Sequence, residues 1–169
     1  DKIEMLARIL QADGRGPTIV FCRTKRTAQK TSDDLAERGF RAATIHGDLG
    51  QSAREKALND FKAGKSDVLI ATDVAARGID IDGITHVINY QCPEDEKTYV
   101  HRIGRTARAG AHGIAVTFVD WDELARWKMI DTALVLGLPE PLETYSSSEH
   151  LYEMLNIPAG STGRIVKAK

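Results

Sequence analysis

Thr18-Ile19-Val20-Phe21-Cys22 is a run of five residues, four apolar and three β-branched, entered from Pro17 and followed at once by the polar segment Arg23-Thr24-Lys25-Arg26. A strand with one wet face alternates apolar and polar side chains. A short, nearly continuous apolar run reads instead as a strand covered on both faces, which belongs in a parallel sheet between layers of helices. The flanking sequence supplies the helices. Ile3, Leu6 and Leu10 recur at helical spacing before Gly14 and Gly16, and a second helical pattern carrying Ala28 and Leu35 runs to about residue 38 and stops at Gly39.

The unit repeats. Ala42-Ala43-Thr44-Ile45 reads as a strand, His46-Gly47-Asp48 as a turn, and residues 51–62 as a helix presenting Ala57, Leu58 and Phe61. Residues 67–72, 86–90 and 113–119 are three further apolar runs. Between them lie a glycine-bearing loop over 73–83, with room for one helical turn, and a helix over about 94–103. Leu124, Trp127, Ile130 and Leu134 mark a last helix, ended by Gly137 and Pro139. Strands alternating with helices predict βαβ crossovers and an α/β domain, a parallel sheet flanked by helices on both faces. The polar segments at 23–26, 46–48, 72–80 and 91–95 each follow a strand directly, so they should share the carboxyl edge of the sheet, where such folds bind ligands.

The chain of 169 residues suits one domain with a full core. Lys+Arg number 23 against Asp+Glu 24, so net charge points to no nucleic acid, and any basic surface must come from local clustering. No apolar run approaches the ~20 residues that span a bilayer. Cys22 and Cys92 sit in apolar stretches and read as buried free thiols of a reducing compartment, with no metal-ligand spacing around them. The chain opens on a helical pattern without a methionine, as a fragment of something longer would. Beyond Pro139 the periodicity fails: residues 140–148 are polar, Leu151, Met154, Leu155 and Ile157 make one short helix, and 160–169 reads as a mobile tail.

The densest cluster of charge is His101-Arg102-Ile103-Gly104-Arg105-Thr106-Ala107-Arg108. Arg102, Arg105 and Arg108 stand at i, i+3 and i+6, so a helical turn would stack them along one side. Guanidiniums so close repel one another unless an anion lies between them, and their planar forks fit phosphate oxygens. The plain alternative is a solvated basic face.

Read together, these segments resemble the second RecA-like domain of a DEAD-box RNA helicase, over roughly residues 1–137. Ile19-Val20-Phe21-Cys22-Arg23-Thr24-Lys25 is similar to that family's motif IV, and Gln51-Ser52-Ala53-Arg54 to its Q-x-x-R element. Thr72-Asp73-Val74-Ala75-Ala76-Arg77-Gly78-Ile79-Asp80 resembles motif V, Val87-Ile88-Asn89-Tyr90 with Pro93 motif Va, and residues 101–108 motif VI. In related helicases a glutamine usually stands in place of His101. The resemblance implies a RecA-like three-layer fold over residues 1–138, with residues 139–169 as a C-terminal extension.

By the same resemblance the activity is ATP-dependent RNA unwinding, and the ligands are ATP with Mg²⁺. Arg105 and Arg108 are implied as arginine fingers on the γ-phosphate. Asp80 is implied to accept a hydrogen bond from the ribose, with Gly78 beside it. Arg23, Thr24, Gly47, Arg54, Thr72 and Gly78 are implied to line half of an RNA groove, with Lys25 a further candidate. His101 and Arg102 are implied to brace the motif or couple it to the partner domain. Arg102 has an internal salt bridge with a motif carboxylate as its alternative, and Asp73 reads as structural. Nothing in the sequence reads base edges, so RNA contact should be to backbone. His112 and His150 are taken as surface residues.

The chain has no G-x-x-x-x-G-K-[ST] loop and no D-E-A-D box, which belong to the family's first RecA-like domain. That domain is therefore the expected partner, the protein is expected in the cytoplasm, and this chain alone should be inactive. A non-catalytic RNA- or protein-binding module is the rival reading.

Overall fold

The computed structural model describes residues 1–106 and 113–165. Five strands, β1 (Thr18–Cys22), β2 (Ala42–Ile45), β3 (Val68–Thr72), β4 (His86–Asn89) and β5 (Ile114–Thr117), form one sheet in the order β2-β3-β1-β4-β5, parallel at every pairing. The helices are α1 (Lys2–Ile9), α2 (Lys25–Glu37), α3 (Gln51–Lys62), α4 (Glu96–Ile103), α5 (Leu124–Leu134) and α6 (Glu149–Leu155).

The opening run is the central strand, and every residue of it is buried. Its side chains alternate between two cores. Val20 and Cys22 meet α1, α2 and α6 through Leu6, Leu35 and Leu151, whereas Ile19 and Phe21 meet α3 and the 73–84 loop through Phe61, Ala76, Ile79 and Ile84. Each face of the sheet is thus covered, as the unbroken hydrophobicity of β1 and β3 requires. A third cluster joins Cys92 to Trp127 and Ile130, with the Tyr99 ring edge-on to Trp127 at 5.7 Å. Burial pushes the Cys22 thiol up to about 12 and the Cys92 thiol up to about 11, so neither is a thiolate near neutrality.

Element ends shift from the sequence reading where capping decides them. Thr24 caps α2, its Oγ1 accepting from Thr27 N at 3.1 Å, so Lys25 and Arg26 are first-turn residues of a helix and not loop. Asp95 caps α4 in the same way, accepting from Thr98 N at 2.8 Å, and the helix begins at Glu96. Helix α5 closes at Val135, in the left-handed region at φ 53°, before Gly137 is reached.

The extension folds back onto the domain. Leu151 and Ile157 enter the α1–α2 core. Asp13 N donates to Asn156 O, and Ser146 binds the Asp1 carboxylate. Residues 160–165, read as mobile tail, lie against α1 and α2 instead. Gly163 N donates to Gln11 Oε1, Gln11 Nε2 to Arg164 O, Arg38 Nη1 to Gly163 O and Ile165 N to Arg38 O. A side chain on Gly39 would come within 2.7 Å of Ile165 O, so the close approach needs glycine there. Arg38 is held by Glu4, which also pairs with Arg8 at 2.5 Å; the two guanidiniums, Arg38 first, lower the Glu4 carboxyl to about 2.

At the opposite edge of the sheet from the polar loops, His86 is 3% exposed. Its Nδ1 faces Thr85 Oγ1 at 2.7 Å, and its Nε2 has no partner among the described residues. Burial first, then the nearby Arg15 cation, lower its affinity for a proton below the ordinary 6.5. The folded chain keeps His86 neutral where the unfolded chain takes up a proton. Its contribution to stability is therefore complete above about pH 6.5 and is lost as pH falls from there through the lower folded value. Urea midpoints of this chain should drop between pH 7.5 and pH 5.5, and His86→Gln should flatten that drop. A midpoint with unchanged pH dependence in His86→Gln would show that the imidazole is not its source.

Candidate active-site edge

Because all five strands run the same way, the segments after β1, β2, β3 and β4 gather at one edge, as read from the sequence. The organising contact there is Arg102, a charged side chain only 1% exposed. Its Nε and Nη2 donate to the two oxygens of Asp73, at 2.7 and 2.8 Å. Nη1 donates to Gln91 O at 2.9 Å and Asn89 Oδ1 at 3.2 Å, and the guanidinium lies 5.4 Å from the Phe21 ring centre. A buried cation needs this kind of bidentate partner and further acceptors around it to be tolerated. The alternative reading of Arg102 is the one the structure takes: the anion is Asp73, from within the chain. Arg102 therefore does not stack with Arg105 along one side.

Arg105 turns the other way. It stays partly exposed and sends Nη1 to Ile79 O at 2.5 Å, laying its charge along the loop that holds Gly78 and Asp80. His101 is exposed. Phe21, Asp73, Arg77, His101, Arg102 and Arg105 are among the residues around a concavity of about 140 Å³. Thr106 anchors the end of the motif by donating from Oγ1 to Ile84 O. Arg108 and His112 lie outside the described residues.

The loop after β3 opens with one helical turn, Ala76 N donating to Thr72 O at 3.0 Å. Gly78 sits at φ +76° with nothing within 4 Å of where a side chain would project, and the space over Gly47 is equally open. Asp80 is exposed, while Thr72 is buried at the strand end. Two arginines assigned to an RNA groove have partners within the chain. Arg54 donates from Nε and Nη2 to Ala75 O and from Nη2 to Arg77 O, bracing the 73–80 loop. Arg23 pairs through Nη2 with Glu123 at 3.2 Å, and its backbone N–H donates to Gln91 Oε1. The Thr24 hydroxyl serves α2 as its cap, and Lys25 pairs with Asp48 at 2.9 Å. His150, read as a surface residue, is half-buried against Thr144.

Glu123 escaped the sequence reading. It is 2% exposed and accepts from Cys92 N, Asp120 N and Arg23. The signal was present: Asp120-x-x-Glu123 ahead of an apolar helix is a capping box.

Comparison with known proteins gives this edge its setting. Residues 1–110 match the family model described as the helicase conserved C-terminal domain. The ATP-dependent RNA helicase CshA of Listeria monocytogenes is 50% identical over 131 residues, which is 78% of this chain and 25% of that protein. The chain belongs to the DEAD-box helicase family. Among solved structures, the DEAD-box protein SrmB of E. coli, bound to the regulator of ribonuclease activity A, is 34% identical with a TM-score of 0.76, covering 88% of this chain and 91% of that one. S. cerevisiae Dbp5 bound to RNA and ADP BeF3 is 35% identical with a TM-score of 0.79, covering 93% of this chain and 41% of that one. This DEAD-box chain is thus a helicase C-terminal domain with the RecA-like fold, and it spans about a quarter of the length of the CshA relatives it matches.

Proposed function

We propose that the chain is the C-terminal half of an ATP-dependent RNA helicase, with residues 1–138 as its second RecA-like domain and 139–169 as an extension. The observation that carries the reading is the division of labour between neighbouring arginines. Arg102 is neutralised inside the fold, while Arg105 stays partly exposed over the Gly78–Asp80 loop, available to an anion from outside.

Arg105 fits a polyphosphate. Arg105 and Arg108 would meet the γ-phosphate of ATP from across an interdomain cleft, with Asp80 accepting a hydrogen bond from the ribose and Gly78 leaving room for it. Asp73 does not fit Mg²⁺, because both its oxygens are engaged by Arg102. With no G-x-x-x-x-G-K-[ST] loop and no D-E-A-D box in this sequence, we assign the metal and the α- and β-phosphates to the first RecA-like domain, our proposed partner. When bound there, ATP supplies the transferable phosphoryl group. This chain's own part is to place positive charge where charge develops in the transition state.

RNA backbone would approach over Gly47 and Gly78, where no side chain projects, and meet the Thr72 hydroxyl and Thr24. Arg54 holds the loop through Nε and Nη2 and would offer Nη1 to a phosphate. Arg23 joins the groove only by leaving Glu123. His101, exposed at the lip of the concavity, would couple to the first domain directly, and Arg102 indirectly through Asp73. Closing the two domains over RNA and ATP would distort one strand and separate a short duplex. No helix among the described residues is long and apolar enough to cross a membrane, and we place the protein in the cytoplasm.

The test is RNA-stimulated ATP hydrolysis by the full-length parent beside this chain alone. We expect turnover from the parent and none from the chain. Turnover by the chain alone would overturn the half-enzyme reading. No RNA-stimulated turnover by the parent would favour the non-catalytic binding module.

A further inference from the structure

Asn89 ends β4 in a row of buried residues and is itself 0% exposed. An apolar side chain would fill such a site at less desolvation cost, as Val87 and Ile88 do beside it. Instead the amide is satisfied at both ends. Oδ1 accepts from Arg102 Nη1 at 3.2 Å, and Nδ2 donates to Thr117 Oγ1 at 3.0 Å. A guanidinium can only donate, so the amide oxygen must be the end that faces Arg102, which leaves the nitrogen for Thr117. The backbone repeats the tie, with Phe118 N donating to Asn89 O at 2.9 Å.

The position of these contacts in the chain gives them their meaning. Arg102 lies in α4 and Thr117 in β5, and the connection between α4 and β5 contains Arg105 and Arg108. Asn89 therefore grips the elements on both sides of the arginine-bearing connection. It also takes one of the four Arg102 hydrogen bonds, two of which fix Asp73 at the start of the loop on which Arg105 rests.

We propose that Asn89 is a positioning residue for ATP hydrolysis, setting where Arg105 is presented beyond the end of α4 by holding Arg102 on one side and Thr117 on the other. The proposal rests on the reading of Arg105 and Arg108 given above. Asn89 touches no substrate. Its effect should fall on the chemical step, where a displacement of ~1 Å can reduce rate ~10²-fold.

The experiment measures RNA-stimulated hydrolysis by the full-length parent carrying Asn89→Leu, Asn89→Ser, Thr117→Val or Arg105→Ala, and by the Asn89→Ser/Arg105→Ala double variant. We expect kcat to fall roughly 10- to 100-fold in Asn89→Leu and Asn89→Ser, and by less in Thr117→Val, with KM for ATP nearly unchanged. The double variant should lose little beyond Arg105→Ala alone, because Asn89 acts through the placement of Arg105. Should Asn89→Leu fail to fold, Asn89→Ser and Thr117→Val carry the test. Lowered melting temperatures with wild-type kcat in both would overturn the proposal and leave Asn89 a structural residue. Losses that multiply in the double variant would also overturn it. Failure of the underlying reading looks different: the wild-type parent would show no RNA-stimulated turnover, or Arg105→Ala would keep it.

Discussion

Alanine at Arg105 or at Arg108 in the full-length parent will reduce RNA-stimulated ATP turnover by ~10³–10⁵, the range over which arginine fingers act in phosphoryl transfer. ATP and RNA binding will be largely kept. Removing a group that stabilises charge only as it develops lowers kcat far more than it raises KM. Lysine at either position should recover only part of the rate, since an ammonium is a point charge without the planar fork. Arg105 has a second task, its bond to Ile79 O, so Arg105→Ala should also loosen the Gly78–Asp80 loop and weaken nucleotide binding modestly. The measurement is steady-state hydrolysis at saturating RNA with ATP varied. Equal losses in kcat/KM and in ATP affinity, with kcat intact, would make these arginines ground-state binding groups and remove them from the transition state.

How much of this site could be read from residues alone depended on the range of the interaction involved. The strands were legible because burial on both faces leaves a local mark, the unbroken run from Thr18 to Cys22, and their parallel order followed from the helices between them. The shared carboxyl edge then placed Asp73 and Gly78 beside the 23–26, 46–48 and 91–95 segments, and left Arg102 on the helix that follows. The pairing of Arg102 with Asp73 was not legible. That Arg102 turns inward to Asp73, 29 positions away in sequence, depends on which side of α4 faces Phe21, a tertiary contact, while Arg105 lies beyond the end of the helix and follows its own bond to Ile79 O. Arg54 and Arg23 mislead for a related reason. A guanidinium near a loop binds whatever carbonyl or carboxylate the fold supplies, here Ala75, Arg77 and Glu123, and none of those partners lies near it in sequence. The extension lost its periodicity after Pro139 and so read as a tail through its last ten residues. Residues 160–165 dock largely by offering their own backbone N–H and C=O groups to the side chains of Gln11 and Arg38, and backbone groups leave no signature in side-chain pattern.

The buried pair itself predicts the largest effect on stability. Asp73→Ala will destabilise this chain by about 3–5 kcal/mol, because it leaves the Arg102 cation in a site only 1% exposed with neutral acceptors alone. For a domain of this size that corresponds to a melting temperature lowered on the order of 10 °C. The two partners are not equivalent, and their asymmetry makes the test specific. The Asp73 side chain is 39% exposed, so water can take over its solvation once the arginine is gone. Arg102→Met, which keeps most of the buried volume against Phe21 and removes the charge, should therefore cost clearly less than Asp73→Ala. Adding Arg102→Met to Asp73→Ala should restore part of the lost stability, since the double variant no longer buries a charge. Denaturant unfolding of the three variants decides the matter. If Asp73→Ala proves no worse than Arg102→Met, the guanidinium is hydrated in solution and the buried pair does not hold the loop. If the order is as stated, the contact that neutralises Arg102 also keeps the 73–80 loop beneath Arg105, and the stability of the edge and its charge arrangement have a single origin.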